Sequence, residues 1–356
     1  MAGTDYRREL VELIETVIHE GASDLHLSVG SSPTIRISGS LLPLSKKPKL
    51  TAEDTLGLIE VMLSGPQREK FLRDHEVDFS YSHGTTARFR GNGFFQQGTA
   101  SVAMRLIPRD IKTLEELNLP PMLRGFSQKE QGFFLVVGPV GQGKSTTLAA
   151  LVESINNERP EHIITIEDPI EYLFVEKKSM IEQREVGIDT NDFYTGLKYA
   201  FRQDVDVIMI GEMRDPQTIA TAVTAAETGH LVMSTLHTNN AAQTIDRIID
   251  SFPAGQQDQI RVQLAGSLTG IFSQRLIPRI SGGLIPAYEL LLNNAAVSNL
   301  IRERRTHEIN TVIETRSEEG MIDMNRCLAD LVRRGEISVE SAFARSLNQK
   351  MLERLL

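Results

Sequence analysis

The sequence predicts an α/β protein: a small α+β domain comes first, then a larger domain built on a parallel sheet, then a helical C-terminal region. Three observations lead to this fold class. The chain has 356 residues, more than a single hydrophobic core usually holds. From Gly132 onward, short and almost wholly apolar runs alternate with helical stretches, which is typical of a parallel sheet buried on both faces. From about Asn293 the patterns are helical and rich in charge.

Residues 1–108 carry the pattern of the small α+β domain. Apolar residues at helical spacing from Leu10 to Ile18 predict an opening helix, and Gly21 follows in the usual position after a helix end. Alternating apolar residues then predict strands at 25–29, 35–37, 89–95 and 102–106. A connector is expected over 109–121, because this stretch mixes charge with leucines and ends in a Pro-Pro pair.

The larger domain is expected over 122–292, and the helical region over 293–356. Buried strands are predicted at 133–137, 163–166, 205–210 and 231–236. One helix is marked at both ends, because Asp215 stands in the N-cap position, Pro216 in the first helical position and Gly229 after the last turn.

Composition excludes several classes of protein. The net charge of −9 argues against a protein whose main task is to hold nucleic acid, since phosphate neutralisation needs a basic excess. The single cysteine, Cys327, excludes an intrachain disulfide and a multi-cysteine zinc site. The start has no apolar signal segment, and no run approaches the roughly 18–20 apolar residues that span a bilayer. We therefore expect a cytoplasmic chain that reaches a membrane only through partners.

The strongest functional signal is a phosphate-binding loop between the first predicted buried strand and a helix expected to begin near Thr146. The loop consists of Gly138, Pro139, Val140, Gly141, Gln142, Gly143, Lys144 and Ser145. Its glycines let backbone N–H groups turn toward phosphate oxygens, and the helix N-terminus adds its dipole. Lys144 is suited to reach the β- and γ-phosphates, and Ser145 to bind Mg²⁺. The sequence therefore predicts a site for ATP and Mg²⁺ formed by these loop residues and by Thr146, which follows them.

Acidic residues follow two other predicted strands, where hydrolysis needs a base and a carboxylate on the metal side. One group is Glu167-Asp168-Pro169-Ile170-Glu171, in which the proline ends the strand. The other is Glu212, which follows the apolar run 207–210 and Gly211 in the layout of a Walker B strand. The alternatives are a solvated acidic turn for the first group and an ordinary loop carboxylate for Glu212.

Two histidines flank the predicted strand 231–236. His237 comes at its carboxyl end, where ligands of open α/β sheets bind, so it is placed to hydrogen-bond a γ-phosphate. His230 comes at the other end, and the sequence leaves open whether it is a ligand or an ordinary surface or core histidine.

Together these motifs resemble those of the type II and type IV secretion and pilus ATPases, most closely the type IV pilus retraction branch. The resemblance covers nearly the whole chain, in the family's order and spacing. It is carried by residues 21–26, 87–90, the phosphate-binding loop, 166–171, 211–215 and 230–250.

The resemblance implies a PAS-like N-terminal domain joined to a RecA-like ATPase domain and assembled as a homohexamer. It assigns Glu171 as the catalytic base, places Glu212 beside Mg²⁺ and makes His237 the sensor of the γ-phosphate. Arginines of an N-terminal domain complete the site in this family, and the matching positions are Arg88, Arg90 and Arg105. Ordinary exposed strand arginines are the alternative.

The resemblance also implies a motor that drives pilus retraction and twitching motility, bound to an inner-membrane platform protein at the inner face of that membrane. The tetracysteine zinc module of extension-type ATPases is absent from the sequence. Val140 and Gln142 stand where the loop usually has Thr and Ser, which removes no backbone donor. Ser298 and Arg304 stand where the retraction motif has Arg and Gly, which weakens the retraction role more than the ATPase role.

Three alternatives stay open on the sequence. An accessory retraction ATPase or a type II secretion ATPase shares every motif and differs in its partner. A RecA-like nucleic-acid translocase is disfavoured by the acidic charge. A nucleotide-binding regulator that does not hydrolyse ATP is the third.

Overall fold

The computed structural model describes residues 5–37, 39–84, 86–108 and 110–356. The chain divides into two compact units, Met1–Arg109 and Asp110–Leu356. Arg109, where the connector is predicted to begin, lies outside the described residues.

The first unit is built on an antiparallel sheet that has six strands among its described residues. In chain order these are β1 (Asp24–Leu27), β2 (Thr34–Ile37), β3 (Ser40–Pro43), β4 (Glu76–His83), β5 (Ala87–Gln96) and β6 (Thr99–Ile107). The order across the sheet is β3-β2-β1-β6-β5-β4. The helices are α1 (Tyr6–His19), α2 (Ala52–Met62) and α3 (Gly65–Asp74).

The predicted opening helix is confirmed as α1. Asp5 caps its N-terminus by accepting a hydrogen bond from the N–H of Arg8, at 3.2 Å. The predicted apolar stripe forms its buried face, apart from Ile18, which is half-buried. This face packs in one core with the side of the sheet that carries Leu25, Phe89 and Met104.

The second unit contains a larger sheet, with seven strands among the described residues. They are β7 (Gly132–Val137), β8 (His162–Glu167), β9 (Met180–Glu185), β10 (Val207–Ile210), β11 (Leu231–Leu236), β12 (Leu268–Pro278) and β13 (Leu284–Leu292). The order across the sheet is β13-β12-β7-β11-β10-β8-β9. The pairs are parallel except β12 with β13. The predicted α/β class is confirmed.

Helices cover both faces of this sheet, and its central strands β7, β10 and β11 are wholly buried. The four predicted strands are present, although the one expected at 205–210 begins at Val207. The sequence did not single out the β12–β13 hairpin. The helices are α4 (Arg124–Ser127), α5 (Lys144–Glu158), α6 (Phe193–Ala200), α7 (Pro216–Glu227), α8 (Ala241–Asp250), α9 (Ala254–Ser267), α10 (Ala295–Arg302), α11 (Ile309–Thr315), α12 (Met324–Arg333), α13 (Val339–Arg345) and α14 (Gln349–Leu355).

Part of the stretch predicted as a connector packs on the second unit. Leu114 and Leu119 are buried in the same cluster as Phe126, Phe134 and Leu151. The physical reason is apolar burial: leucines spaced along an otherwise polar segment are held by the core that they cover.

The C-terminal helices pack on the far end of the β12–β13 hairpin. Ile277 and Ile285 of the hairpin join Met324 and Leu328 of α12 in one buried cluster. Among the residues that the structure describes, none of the helices combines the length and the apolar composition that a membrane span requires.

Candidate active site

The phosphate-binding loop joins the buried strand β7 to helix α5. Gly143 is the N-cap residue of α5 and has φ of +80°, in the left-handed region that favours glycine. At Gly138 a Cβ atom would lie 2.5 Å from the backbone oxygen of Gln274, so only glycine fits against β12. Helix α5 begins at Lys144, two residues before the predicted start. The free N–H groups of its first turn therefore face the loop.

Lys144 lies inside this loop. Its side chain is buried, and Nζ donates to the backbone oxygens of Gly138 and Pro139, each at 2.9 Å. Nζ also lies 3.3 Å from Nδ1 of His237. Burial lowers the pKa of the Lys144 ammonium, while the carboxylate of Glu212 opposes that shift. An anion at this position would therefore relieve a desolvated positive charge.

Lys144, His237 and Glu212 form a continuous chain of contacts at the carboxyl ends of β7, β11 and β10. His237 Nε2 lies 3.5 Å from Oε2 of Glu212. Arg214 holds the Glu212 carboxylate at both oxygens, at 2.7 and 3.0 Å. These hydrogen bonds lower the pKa of Glu212 and keep it ionised. The structure thus brings together three residues that the sequence placed after three different strands.

The acidic turn after β8 contains two glutamates in different environments. Glu167 is buried, and it accepts hydrogen bonds from Thr165 Oγ1 at 2.7 Å and from Gln183 Nε2 at 3.2 Å. Burial raises the pKa of Glu167. Its Oε2 also accepts from the backbone N–H of Glu171 at 3.2 Å. Glu171 itself is exposed. The buried carboxyl therefore fixes the turn that presents the exposed one.

A cavity of about 350 Å³ connects these parts. The loop residues from Val140 to Thr146 line it, together with Glu167, Asp168, Glu171, Glu212 and His237. Thr146 Oγ1 lies 2.8 Å from the hydroxyl of Tyr172 across the cavity wall. Val140 is 80% exposed, so the replacement of Thr at this position changes only a solvated side chain.

The segment after β11 that carries His237 is held by the β12–β13 hairpin. Ser273 Oγ donates to the backbone oxygen of Asn239 at 2.9 Å, and Arg275 donates to Oδ1 of the same asparagine at 3.0 Å. Glu289 Oε1 accepts from the N–H of Ala241 at 2.8 Å. All three hairpin side chains are buried. Burial raises the pKa of Glu289 to about 7.

The three predicted arginines lie in the sheet of the first unit. Arg88 and Arg90 alternate along β5, and Arg105 stands opposite Arg90 on β6. Their side chains lie on one face of the sheet, opposite to the face that packs against α1. Arg105 forms an ion pair with Asp24 at 2.8 Å. Arg88 is half-buried, whereas Arg90 and Arg105 are exposed.

Three other residues singled out from the sequence contact their own unit of the protein. His230 Nδ1 lies 3.0 Å from the oxygen of Ala225. Ser298 Oγ donates to the oxygen of Ala265 at 2.9 Å. Arg304, where the retraction motif has glycine, has φ of +61° and pairs with Asp258 at 2.6 Å. A left-handed conformation explains why glycine suits that position.

Sequence reasoning missed several residues that line the cavity or hydrogen-bond to the segments that form it. The acidic turn that the sequence predicts includes Glu167 and Asp168, but no local pattern marks Tyr172, Gln183, Gln274 or Arg275 as part of the site. Glu289 carried a signal, because it interrupts an apolar run in a buried strand, where an ionisable group needs a partner. Across the described parts of the chain, no group of three or more His, Cys, Asp or Glu residues is arranged to hold a metal ion by itself.

The family model of the type II/IV secretion system proteins matches residues 5–335 of this chain. The type IV pilus retraction ATPase PilT of Pseudomonas aeruginosa is 43% identical over 334 residues, which are 94% of this chain and 97% of that protein. A twitching motility protein of Neisseria gonorrhoeae is 44% identical over 322 residues, which are 90% of this chain and 86% of that protein. The crystal structure of the pilus retraction motor PilT with bound ADP matches with a TM-score of 0.90 and 46% identity, over 97% of this chain and 98% of that one.

Proposed function

The chain belongs to the family of type II/IV secretion system proteins, and on that premise we propose that it is an ATP-hydrolysing motor that drives retraction of type IV pili. One observation carries the ATPase part: His237 contacts both Lys144 and Glu212 beside the phosphate-binding loop. A lysine for the phosphates and an acid on the metal side are parts that phosphoryl transfer uses, and Glu212 after β10 supplies such an acid.

In this proposal the triphosphate lies along the loop, with its oxygens on backbone N–H groups from Gly141 to Thr146. Lys144 leaves its contacts with Gly138 and Pro139 to bind the β- and γ-phosphates. The loop backbone oxygens thus hold the ammonium in place until the phosphates arrive. His237, already 3.3 Å from Lys144 Nζ, lies where the γ-phosphate would end and would register its loss.

Glu171 acts as the general base. It lines the cavity, is exposed to water, and is fixed through its backbone N–H by Glu167. A water oxygen attacks the γ-phosphorus, its proton passes to the Glu171 carboxylate, and the bond to the β–γ bridging oxygen breaks with the electron pair going to ADP. Positioning of the water and stabilisation of the developing charge supply most of the rate.

The donor set of the cavity fits Mg²⁺. The Ser145 hydroxyl and the Glu212 carboxylate are oxygen ligands that line one cavity, and Mg²⁺ commonly takes one or two protein oxygens together with phosphates and waters. Bound there, the ion would neutralise phosphate charge. Arg88, Arg90 and Arg105 would add positive charge to a site completed in the assembled ring.

The proposed assembly is a homohexamer, peripheral at the inner face of the inner membrane through a platform protein of the pilus machine. The match to PilT of Pseudomonas aeruginosa supports this, because the chain covers 97% of that protein at 43% identity. The domain division is proposed as 1–108, 109–121, 122–292 and 293–356.

The test is complementation. Expression of this chain in a cell that lacks its pilus retraction ATPase should restore twitching motility, and a Lys144→Ala variant at equal abundance should not. Restoration of type II secretion instead, or motility only when another retraction ATPase is present, would favour the secretion or accessory alternatives. ATP turnover stimulated by DNA would favour a translocase.

A further inference from the structure

Strand β12 continues past the end of β7 and runs beside the phosphate-binding loop. Ser273 of β12 stands opposite Val137, the last residue of β7. Residues 274–278 stay paired with β13 on the other side. On the side where β7 pairs with β12, the loop that follows Val137 takes the place of a longer β7 and lies against β12.

Gln142 bridges this junction. Its Oε1 accepts a hydrogen bond from the backbone N–H of Leu276 at 2.8 Å. The side-chain amide therefore takes the place of a strand partner for a backbone donor in the sheet.

Gln274 completes the junction from the strand side. It is 2% exposed, and its Nε2 donates to the backbone oxygen of Gln142 at 2.5 Å. Its Oε1 accepts from Thr147 Oγ1 in the first turn of α5, at 2.7 Å. A Cβ at Gly143 would lie 2.9 Å from the same Nε2. The loop and the helix start are thus fitted to β12 by two glutamines and a glycine.

We propose that Gln142 is a positioning residue that fastens the phosphate-binding loop to strand β12 and thereby slows the release of a bound nucleotide. The phosphates are held mainly by backbone N–H groups, whose directions depend on the loop conformation. A loop that is already held loses less conformational freedom when the ligand binds. The inference rests on the proposed function for the identity of the ligand.

The test compares the same substitution at a glutamine of the loop and at an exposed glutamine outside the site. Gln142→Met keeps the length of the side chain and removes the acceptor, which leaves the N–H of Leu276 without this partner. The matched control is Gln256→Met, the same change at an exposed glutamine of α9 that does not line the cavity. Release of a fluorescent ADP analogue is followed by stopped flow in the full-length protein with Mg²⁺. We expect Gln142→Met to release it about tenfold faster, equivalent to about 1.4 kcal/mol.

Gln256→Met should release the analogue at the wild-type rate. For Gln142→Met, kcat at saturating ATP should stay within about twofold of wild type while KM rises, since only the side chain changes and that side chain bonds to β12 rather than to the phosphates. Equal release from all three proteins, or equally fast release from both variants, would overturn the proposal. A fall in kcat with unchanged KM would overturn it as well.

Amide hydrogen exchange in the nucleotide-free protein tests the anchor without any ligand. The N–H of Leu276 should exchange faster in Gln142→Met than in wild type and Gln256→Met, because its acceptor is gone. Unchanged protection of Leu276 contradicts the inference. A wild-type chain that protects Leu276 but binds no nucleotide contradicts the proposed function and leaves the anchor intact, so the two failures are distinguishable.

Discussion

The phosphate-binding loop and the His237 segment both lie against strand β12, but the strand holds them by different chemistry. Gln274 and the backbone of Leu276 contact the loop, and these contacts are between neutral amides. Ser273 and Arg275, which alternate with them along the strand, contact the His237 segment together with Glu289. One strand therefore contacts both the phosphate-binding loop and the segment of the proposed γ-phosphate sensor, and only the contacts to the second involve buried ionisable groups of the hairpin, Arg275 and Glu289.

The largest expected effects are loss of ATP binding in one variant and loss of ATP turnover without loss of binding in another. Lys144→Ala should abolish measurable ATP binding, because it removes the buried cation of the loop. His237→Ala should bind ATP within a few-fold of wild type and lose turnover by about 10² to 10³, as expected for one group that stabilises the transition state. Equilibrium binding of a fluorescent ATP analogue and phosphate release measure the two quantities. Loss of binding in His237→Ala would remove the distinction between the two regions.

The next effect is a pH dependence confined to the His237 segment. Burial raises the pKa of Glu289 to about 7 from 4.5. Between these values the folded protein holds the proton and the unfolded chain does not. The contribution to stability is complete below about pH 4.5 and is lost as pH rises through 7, roughly 3 kcal/mol in all.

Glu289→Gln keeps an acceptor for the N–H of Ala241 and has no proton to lose. The melting temperature of this variant minus that of wild type should therefore increase by several degrees from pH 5 to pH 8. The exposed Glu353→Gln is the matched control and should follow wild type throughout. Parallel curves for wild type and Glu289→Gln would show that the buried carboxyl does not hold this segment through its protonation.

A smaller effect is expected from one hydrogen bond to the segment. Ser273→Ala removes the donor to the oxygen of Asn239 and should cost about 1 kcal/mol of stability. ATP turnover should fall by a few-fold, because His237 is less firmly placed, while ADP release stays at the wild-type rate. Faster ADP release in this variant would mean that the two regions are not held separately.

The smallest effect is expected outside both regions. Arg304→Gly replaces a residue with φ of +61° and removes its exposed ion pair with Asp258. Relief of the left-handed strain and loss of a surface ion pair nearly offset each other, so stability should change by less than about 1 kcal/mol. ATP binding and turnover should both stay at wild-type values in the same assays. A change in either would link α10 to the nucleotide site.

The parts of the fold and site that the sequence predicted are those with local causes. Glycines between an apolar strand and a helix predict the loop, and Asp215 before Pro216 predicts the start of α7, where Asp215 accepts from the N–H of Thr218 at 2.8 Å. Glu212 and His237 follow apolar strands, so a parallel sheet brings them to one edge.

The parts that the sequence did not predict depend on pairing over long separations. Gln142 meets Leu276 across 134 positions, and Glu289 meets Ala241 across 48. No local pattern fixes which strand lies beside β7, so the role of β12 became visible only in the fold. The glutamine and the serine of β12 also carry no charge or spacing that marks them as anchors, unlike Glu289 in its apolar run.

The central claim is that this chain hydrolyses ATP with Glu171 as the base, and phosphate release from purified protein tests it most directly. Wild type should release phosphate from ATP in the presence of Mg²⁺. Glu171→Gln should bind ATP as tightly and turn it over at least about 10² times more slowly, as expected when general base catalysis is lost. Glu182→Gln, at an exposed glutamate of β9, is the matched control and should match wild type. Hydrolysis by Glu171→Gln at the wild-type rate would contradict the account.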